Sequence, residues 1–589
     1  MQSYTALSSN RKGEINHVRL IFLWAGFVIL AGLVLFRLIV LMLFQHNFYL
    51  AISSNSREST SKLIPKRGVI YFQDSRSHGL FPAAMNHDNF LLFADTRQIK
   101  TDDEANLIVK KLAEVFNYDE AKTTSTLAQL NKRTDPYEPI EKKINEDKMN
   151  QVKELNLPGL GFVRQPFRYY PEEQSGAAVL GFLGQDQNGG QIGRYGIEGF
   201  WNKELSGSGG FVEGAKNAVG GWITLSGWSL KPAQDGADLV LTIDRTLQYK
   251  ACERLRQGLK EYNAKSASLV IMNPTTGAIL AMCSLPDYDL NKYGEVTDAE
   301  AFNNNTIFTA YEPGSIFKSI TMAAGVNDGA VKPNSVFFDT GARTGICSKP
   351  IQNANDKSYG DQTMTGVLEN SINTGMVYVV EKMGRNKFID YVQDFGFGIK
   401  SGIEMDTEVS GDIRALMEKK NTDKVDCYAA TASFGQGIMV TPLQMTTAFS
   451  AIVNGGKLMK PYVVEEIRYG DGRVEKKKPI ELKQVLSKQA ADLTAGMLVS
   501  VIEKHSTGAK VPGYYVGGKT GTAQIAGPKG YAEETNQSFI GFAPAEDPKF
   551  VILVKYEKPD RVWAESTALP VFKDVIQFAL EYYHIPPNR

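Results

Sequence analysis

Three short motifs occur in order in the second half of this 589-residue chain, and they constrain its fold more than any other feature. They are a Ser-x-x-Lys at Ser315–Lys318, a Ser-x-Asn at Ser371–Asn373 and a Lys-Thr-Gly at Lys519–Gly521. Each supplies one part of an acyl-transfer site, namely a nucleophile with its base, a proton relay and an anion clamp. The first two patterns recur near the N-terminus in polar sequence, where a solvated linker is the better interpretation.

The first motif is predicted to open a buried helix. A Pro-Gly turn precedes it, and the apolar run 315–325 follows. Ser315 is therefore expected at the first turn, where free N–H groups and the helix dipole favour negative charge. Lys318 lies one turn on, and burial disfavours its charged form, so its neutral amine can take the proton of the serine. A lysine that merely extends from a core helix into solvent is the alternative.

The Lys-Thr-Gly motif is predicted to lie on an edge strand beside a cleft, because the neighbouring glycines permit close approach of an extended ligand. Lys519 and the hydroxyls of Thr520 and Thr522, with Gly521 between them, are candidates to hold a substrate carboxylate. The N–H groups of Thr522 and Ser315 are candidates for an oxyanion hole. For this motif alone, a glycine-rich hairpin in a sheet is the better interpretation.

The Ser-x-Asn motif follows the segment 366–370, a predicted helix that ends in a polar turn. Ser371 is a candidate relay between a lysine and the leaving amine. Asn373 is a candidate to orient a substrate amide. The three motifs together therefore predict one serine acyl-transfer site.

With these motifs, the chain resembles the class B penicillin-binding proteins, the membrane-anchored peptidoglycan D,D-transpeptidases. The resemblance covers nearly the whole chain and includes the stretches 241–248, 273–282, 370–376, 435–444 and 539–544. It implies that Ser315 forms an acyl-enzyme with a stem peptide, releases D-alanine and cross-links a neighbouring stem peptide. It also implies that β-lactams acylate Ser315 and that no metal or organic cofactor is needed. The stretch 395–404 is more similar to the septal branch than to the elongation branch.

An apolar run at Leu20–Phe44, interrupted only by Arg37, is long enough for a membrane span, which needs ~20 residues. Three basic residues precede it, so the tail 1–19 is expected in the cytoplasm and the rest of the chain outside it, at the periplasmic face. A cleaved signal peptide is the alternative, but the run is too long and ends without a cleavage site. The expected partners are the membrane, a polytopic glycosyltransferase and other cell-wall or division proteins.

The remaining sequence predicts an α+β protein. After the span 20–44, residues 45–235 are expected to form a stalk and an elongated pedestal of the dimerisation type, and residues 236–589 the catalytic domain. Strands at both ends of the catalytic part surround a helical middle, which predicts an antiparallel sheet packed by helices. This agrees with the serine-transpeptidase (penicillin-binding/β-lactamase-like) fold that the resemblance implies. The predicted strands are 238–242, 266–272, 278–282, 538–543 and 550–556.

Composition adds two further expectations. The formal net charge is zero and there is no basic block, so nothing indicates nucleic-acid binding. The four cysteines, at 252, 283, 347 and 427, are widely spaced, and separate small core residues are the default interpretation. In an oxidising compartment a pair can bridge, but the spacing does not show which.

Rival functions remain in different classes. A Ser-His-Asp hydrolase is disfavoured because no Gly-x-Ser-x-Gly occurs. A D,D-carboxypeptidase or β-lactamase would share the motifs but deliver the acyl group to water, and the anchor and large N-terminal segment argue against it. A β-lactam sensor would be expected to carry several spans. An elongation-type transpeptidase and a scaffold role in a cell-wall complex are both compatible with the sequence.

Overall fold

The computed structural model describes residues 17–40, 58–63, 65–187, 190–215, 229–418, 423–527, 530–587 and 589. The chain forms two compact units. One is drawn from Met1–Pro65 and Ser208–Gln234, and the other from Lys66–Gly207 and Asp235–Arg589.

The described residues of the first unit form one helix and a small sheet. The helix, His17–Ile39, exposes large apolar side chains along most of its length. Among the residues that the structure describes, no helix combines the length and apolarity needed to cross a membrane. Residues 41–44 of the predicted span, and residues 1–16 of the predicted tail, lie outside the described ranges. The antiparallel sheet consists of the strands Glu58–Leu63, Gly210–Ala215 and Ser229–Lys231.

The second unit begins with a seven-stranded sheet. The segments before and after residue 235 share this sheet, because Ile70–Asp74 pairs in parallel with Asp238–Asp244, which in turn pairs with Val464–Arg468. The other strands are Gly79–Ala94, Glu138–Ile144, Leu160–Tyr169 and Val474–Lys476. The helices beside it are Asp102–Phe116, Glu120–Leu130 and Glu146–Glu154.

A buried ion cluster lies in this part of the chain. The carboxylate of Glu198 is fully buried and forms ion pairs with Arg67 and Arg168. Burial by itself raises the pKa of Glu198, but the charges of the two arginines outweigh it, and the net pKa is lowered. The charged carboxylate therefore ties two distant segments of the pedestal together.

A five-stranded antiparallel sheet forms the centre of the catalytic part. Its strands, in spatial order, are Ile279–Leu285, Ser266–Met272, Phe550–Glu557, Gly530–Ala543 and Gly517–Gly527. The first three of these strands are mostly apolar, because helices cover both faces of the sheet there. The helices Arg245–Glu261 and Ala568–Tyr582 pack on one face, and Pro442–Val453 packs on the other, where Lys318–Asn327 joins the same apolar cluster. The predicted antiparallel sheet packed by helices is confirmed.

Further helices, ribbons and turns complete the unit. The remaining α-helices are Ala177–Leu180, Gly196–Phe200, Asn202–Ser206, Met364–Glu369, Asn373–Met383, Arg385–Asp394, Arg414–Met417, Cys427–Ala432 and Lys488–Lys504. The two-stranded ribbons are Phe182–Gln185 with Gln191–Arg194, Val336–Asp339 with Gly360–Thr363, Ala342–Arg343 with Ile351–Gln352, and Lys457–Met459 with Glu481–Gln484. The 3-10 turns are Thr96–Gln98, Leu290–Glu295, Ala299–Phe302, Gly314–Phe317, Ala354–Asp356, Thr507–Ala509 and Ala564–Ser566.

The default interpretation of the cysteines as separate core residues is wrong. Cys252 is bonded to Cys283, with Cα atoms 5.4 Å apart, and Cys347 to Cys427, with Cα atoms 4.8 Å apart. The first bridge joins a helix to the neighbouring edge strand. The second joins residues 80 positions apart in sequence. Such pairs become neighbours only in the folded chain, so their spacing carried no signal.

Candidate active site

Ser315 lies where an irregular turn becomes a buried helix. The turn Gly314–Phe317 is a 3-10 helix and runs directly into the α-helix Lys318–Asn327. The predicted helix therefore exists, although its first turn is tighter than an α-helix. Gly314, at φ +57°, donates its N–H to the carbonyl of Gly435, at φ +82°, over 2.9 Å. Both glycines adopt left-handed conformations that other residues resist, and their contact fixes the start of the turn.

Lys318 is fully buried behind the serine. Its Nζ donates to the carbonyl oxygen of Ser371 at 2.5 Å and to the Oγ of Ser371 at 3.1 Å. Burial lowers the pKa of Lys318 well below its usual value, and the positive charge of Lys519 lowers it further. The pKa shift is in the direction that the sequence predicts, and it favours the neutral amine that a general base requires.

The Ser-x-Asn motif lies at the start of another helix. Ser371 adopts a left-handed conformation, with φ +53°, between the helices Met364–Glu369 and Asn373–Met383. This conformation brings both its carbonyl and its hydroxyl to the lysine of the first motif. The Nδ2 of Asn373 donates to the carbonyl of Gln352 at 2.8 Å, which leaves its Oδ1 for a ligand.

The Lys-Thr-Gly motif lies on the edge strand Gly517–Gly527 of the five-stranded sheet, as predicted. Lys519 is buried, and its Nζ donates to the carbonyl of Thr520 at 3.1 Å. Burial lowers the pKa of Lys519 to about 8, and the negative charge of Glu565 opposes this shift. The Oγ1 of Thr522 accepts a hydrogen bond from a backbone N–H of the 3-10 turn near the C-terminus at 3.4 Å.

Gly521 has a packing role in this arrangement. A Cβ atom there would lie 2.7 Å from the Oγ of Ser538 and 3.0 Å from both Ile316 and the carbonyl of Pro313. The missing side chain therefore lets the turn that carries the nucleophile rest directly on the edge strand. This contact connects the first motif to the third.

One cleft unites the three motifs. Ser315, Ser371, Asn373, Thr520 and Thr522 line it, while Lys318 and Lys519 are buried in its walls. The other lining residues are Gly314, Asn353, Ala354, Tyr359, Asn370, Phe434, Gln436, Trp563 and Glu565.

Most of these other lining residues were not predicted. Asn353 and Tyr359 come from a loop, and Trp563 and Glu565 precede the last helix. Nothing in the sequence marks them as functional. Gln436 does lie in the stretch 435–444, which carries part of the family resemblance, so that stretch was a usable signal.

The geometry first defines a class of protein. A half-buried serine at a helix start, a buried lysine with a lowered pKa, a second serine bonded to that lysine and a Lys-Thr edge strand together define a serine acyltransferase.

Comparison with known proteins gives the family. The model of the penicillin binding protein transpeptidase domain matches residues 267–577, and that of the penicillin-binding protein dimerisation domain matches residues 62–241. The chain is 32% identical to stage V sporulation protein D of Bacillus subtilis over 96% of this chain and 86% of that protein. It is 29% identical to the peptidoglycan D,D-transpeptidase FtsI of Escherichia coli over 76% of this chain and 73% of that protein.

A solved structure supports the same assignment of fold. Penicillin binding protein 2X from Streptococcus thermophilus superposes with a TM-score of 0.74 and 23% identity, over 90% of this chain and 81% of that one. The chain belongs to the class B penicillin-binding proteins. The predicted resemblance is thereby confirmed, and with it the enzyme class, a serine-type transpeptidase.

Proposed function

We propose that this protein cross-links peptidoglycan by transferring the acyl group of a stem peptide ending in D-Ala-D-Ala to an amine of a neighbouring stem peptide. The observation that carries the proposal is the pair of hydrogen bonds from the buried Lys318 to Ser371, beside Ser315, in a cleft bounded by the Lys-Thr edge strand. The match to the transpeptidase family and the names of the relatives support the same reaction.

In the acylation step, the neutral amine of Lys318 takes the proton of the Ser315 hydroxyl. The Oγ then attacks the carbonyl carbon of the penultimate residue and forms a tetrahedral intermediate. The backbone N–H groups of Ser315 and Thr522 are assigned to its oxyanion, and each such donor typically contributes ~3–4 kcal/mol.

Two polar groups of the substrate, its terminal carboxylate and an amide, bind to the protein. Lys519 and the hydroxyls of Thr520 and Thr522 bind the terminal carboxylate. The Oδ1 of Asn373 accepts a hydrogen bond from the N–H of a substrate amide, while the bond from its Nδ2 to the carbonyl of Gln352 fixes the orientation of the side chain. An extended peptide can lie along the edge strand, where main-chain groups at the border of a sheet are free for pairing.

Collapse of the intermediate breaks the peptide bond. Ser371 relays the proton from Lys318 to the departing nitrogen, and D-alanine leaves. The amine of the second stem peptide then attacks the ester carbonyl. Its proton passes through Ser371 to Lys318 and from there to the Oγ of Ser315, which leaves as the free hydroxyl while the lysine returns to its neutral form. Transfer to water instead would make the protein a D,D-carboxypeptidase.

The test is covalent labelling. A fluorescent penicillin should give a stable adduct with the wild-type protein, and mass mapping should place it on Ser315. Ser315→Ala should not label, whereas a Ser319→Ala control, one position beyond the motif, should label normally. Wild-type protein that stays unlabelled would reject the proposal. The ratio of cross-linked dimer to free D-alanine then separates a transpeptidase from a carboxypeptidase.

We further propose a location outside the cytoplasm. The tail 1–19 stays in the cytoplasm, the span 20–44 forms a single-pass anchor in the cytoplasmic membrane, and the pedestal 45–235 and catalytic domain 236–589 face outward. The length and apolarity of the sequence run 20–44 support the anchor, and the two disulfides suit an oxidising compartment. Protease added outside spheroplasts should degrade the catalytic domain; full protection would contradict this topology.

We also propose which branch of the family the protein belongs to and which proteins it works with. The stretch 395–404 and the names of the sporulation and FtsI relatives support a septal role beside a polytopic glycosyltransferase. A tagged protein should concentrate at septa in growing or sporulating cells, and an even distribution along the side wall would favour elongation. Rescue of a deletion strain by Ser315→Ala would instead favour a scaffold role.

A further inference from the structure

We propose that Asp339, which lies outside the three motifs, is a positioning residue. It fixes the position of the wall of the cleft that carries Asn373. The inference rests on the proposed function, because it concerns how that wall meets the amide of an acylating ligand. Asp339 ends the short strand Val336–Asp339 and is fully buried. It does not line the cleft, so it acts through the residues that it holds.

The carboxylate of Asp339 accepts four hydrogen bonds. Its Oδ1 accepts from the N–H of Gly341 at 3.0 Å and from the hydroxyl of Thr374 at 2.6 Å. Its Oδ2 accepts from the Nδ2 of Asn353 at 2.8 Å and from the N–H of Tyr359 at 2.9 Å. Two of these partners, Asn353 and Tyr359, line the cleft.

The same partners connect this carboxylate to the Ser-x-Asn motif. Thr374 follows Asn373 directly, in the first turn of the helix. Its N–H donates to the Oδ1 of Asn353 at 3.2 Å, while Asn373 donates to the carbonyl of Gln352 at 2.8 Å. Positions 352–353 and 373–374 are therefore joined twice, and Asp339 bonds to both sides.

An ionised carboxylate suits this position because it accepts on both oxygens and donates on neither. Replacing it with asparagine turns one acceptor into a donor that faces two buried donors. The repulsion between donors then displaces the loop 353–359, which forms this wall. Only a short 3-10 turn lies within the loop, so no sheet or long helix resists the displacement. We therefore expect Asn373 to lose its alignment with the ligand amide, while Ser315 and Lys318, which belong to other segments, keep theirs.

The test compares two β-lactams that differ in that amide. Benzylpenicillin carries an acylamido side chain, whereas 6-aminopenicillanic acid has a free amine in its place. The ratio of their second-order acylation rates at Ser315 measures how well the wall recognises the amide. Asp339→Asn should lower this ratio by roughly 10- to 100-fold, since misplacement by about 1 Å can have an effect of that size. Asn373→Ala should lower the ratio in the same way.

The control is Asp361→Asn. Asp361 lies on the paired strand, is exposed, and undergoes the same change of charge, so it should leave the ratio unchanged. If Asp339→Asn does not fold, as judged by thermal melting, Thr374→Val removes one donor to Asp339 and keeps the branched shape of the side chain, and it should also lower the ratio.

An equal loss with both β-lactams, or an unchanged ratio in the folded variants, would show that Asp339 only stabilises the fold and would overturn the inference. Wild-type protein that reacts with neither β-lactam would instead refute the proposed function and this inference with it.

Discussion

One methyl group added at Gly435 should impair Ser315, the proposed nucleophile. An alanine Cβ there would lie 2.2 Å from the carbonyl oxygen of Gly314, 2.7 Å from its nitrogen and 2.8 Å from its carbonyl carbon. All three atoms belong to the backbone that leads into Ser315. No side-chain rotation can relieve the overlap, so the main chain has to move.

The size of the movement follows from these distances. Ordinary van der Waals contact begins near 3.4 Å, so the carbonyl of Gly314 has to shift by roughly 1 Å. Ser315 is the next residue and shifts with it. A misplacement of about 1 Å in a reacting group can lower a rate by on the order of 100-fold. The second-order rate of acylation should therefore fall by about that factor in Gly435→Ala.

The assay is time-resolved labelling with a fluorescent penicillin. Gly437→Ala is the matched control, because Gly437 has a similar φ of +74° in the same loop but its Cβ would meet only the side chain of Thr431, at 3.2 Å. Backbone strain from the positive φ is thus common to both variants. We expect the control to stay within about threefold of the wild-type rate. Equal rates in the two variants, or a wild-type rate in Gly435→Ala, would refute this account of how the turn is held.

Three further outcomes are expected. The pKa of Lys519 is about 8, so its ammonium group, the proposed anion clamp, loses its charge as the pH rises past that value, and the acylation rate should fall. Lys519→Arg should abolish this fall, because the guanidinium stays charged. A wild-type acylation rate that stays constant up to pH 10 would contradict the prediction. Glu198→Gln should lower the free energy of unfolding by roughly 3–5 kcal/mol, because it removes the charge that compensates two buried arginines; an unchanged urea midpoint would contradict it. Alkylation of the unfolded, unreduced protein should modify no cysteine, and loss of the Cys347–Cys427 bridge should lower stability by about 4 kcal/mol; thiols that alkylate freely would contradict the pairing.

The parts of the fold that sequence predicts are those with a local cause. The helix Asp102–Phe116 has such a cause, because its apolar residues recur at helical spacing and Thr101 and Glu104 form a capping box. The strand Ser266–Met272 agrees to the residue with the predicted strand 266–272, which is apolar except for two serines. The three motifs were predicted to share one site because each carries a different part of the same reaction.

The parts that sequence does not predict are set by distant contacts. Tyr359 and Trp563 line the cleft only because their loops are held there, the first by the buried Asp339. The pairing of Cys347 with Cys427 likewise depends on packing between segments 80 positions apart. Neither arrangement has a local pattern, so no reading of neighbouring residues reveals it.

The order of strands in the five-stranded sheet has a consequence for protein synthesis. The central strand, Phe550–Glu557, is synthesised among the last segments of the chain, yet it separates Ser266–Met272 from Gly530–Ala543 and from the edge strand that carries the Lys-Thr-Gly motif. Ser315 is synthesised long before either strand, so it leaves the ribosome before the edge strand on which its turn rests has a place in the sheet. Such long-range pairing forms late in folding. A fluorescent penicillin added to ribosome-bound nascent chains should therefore label none of them, and labelling should begin only after the chain is released.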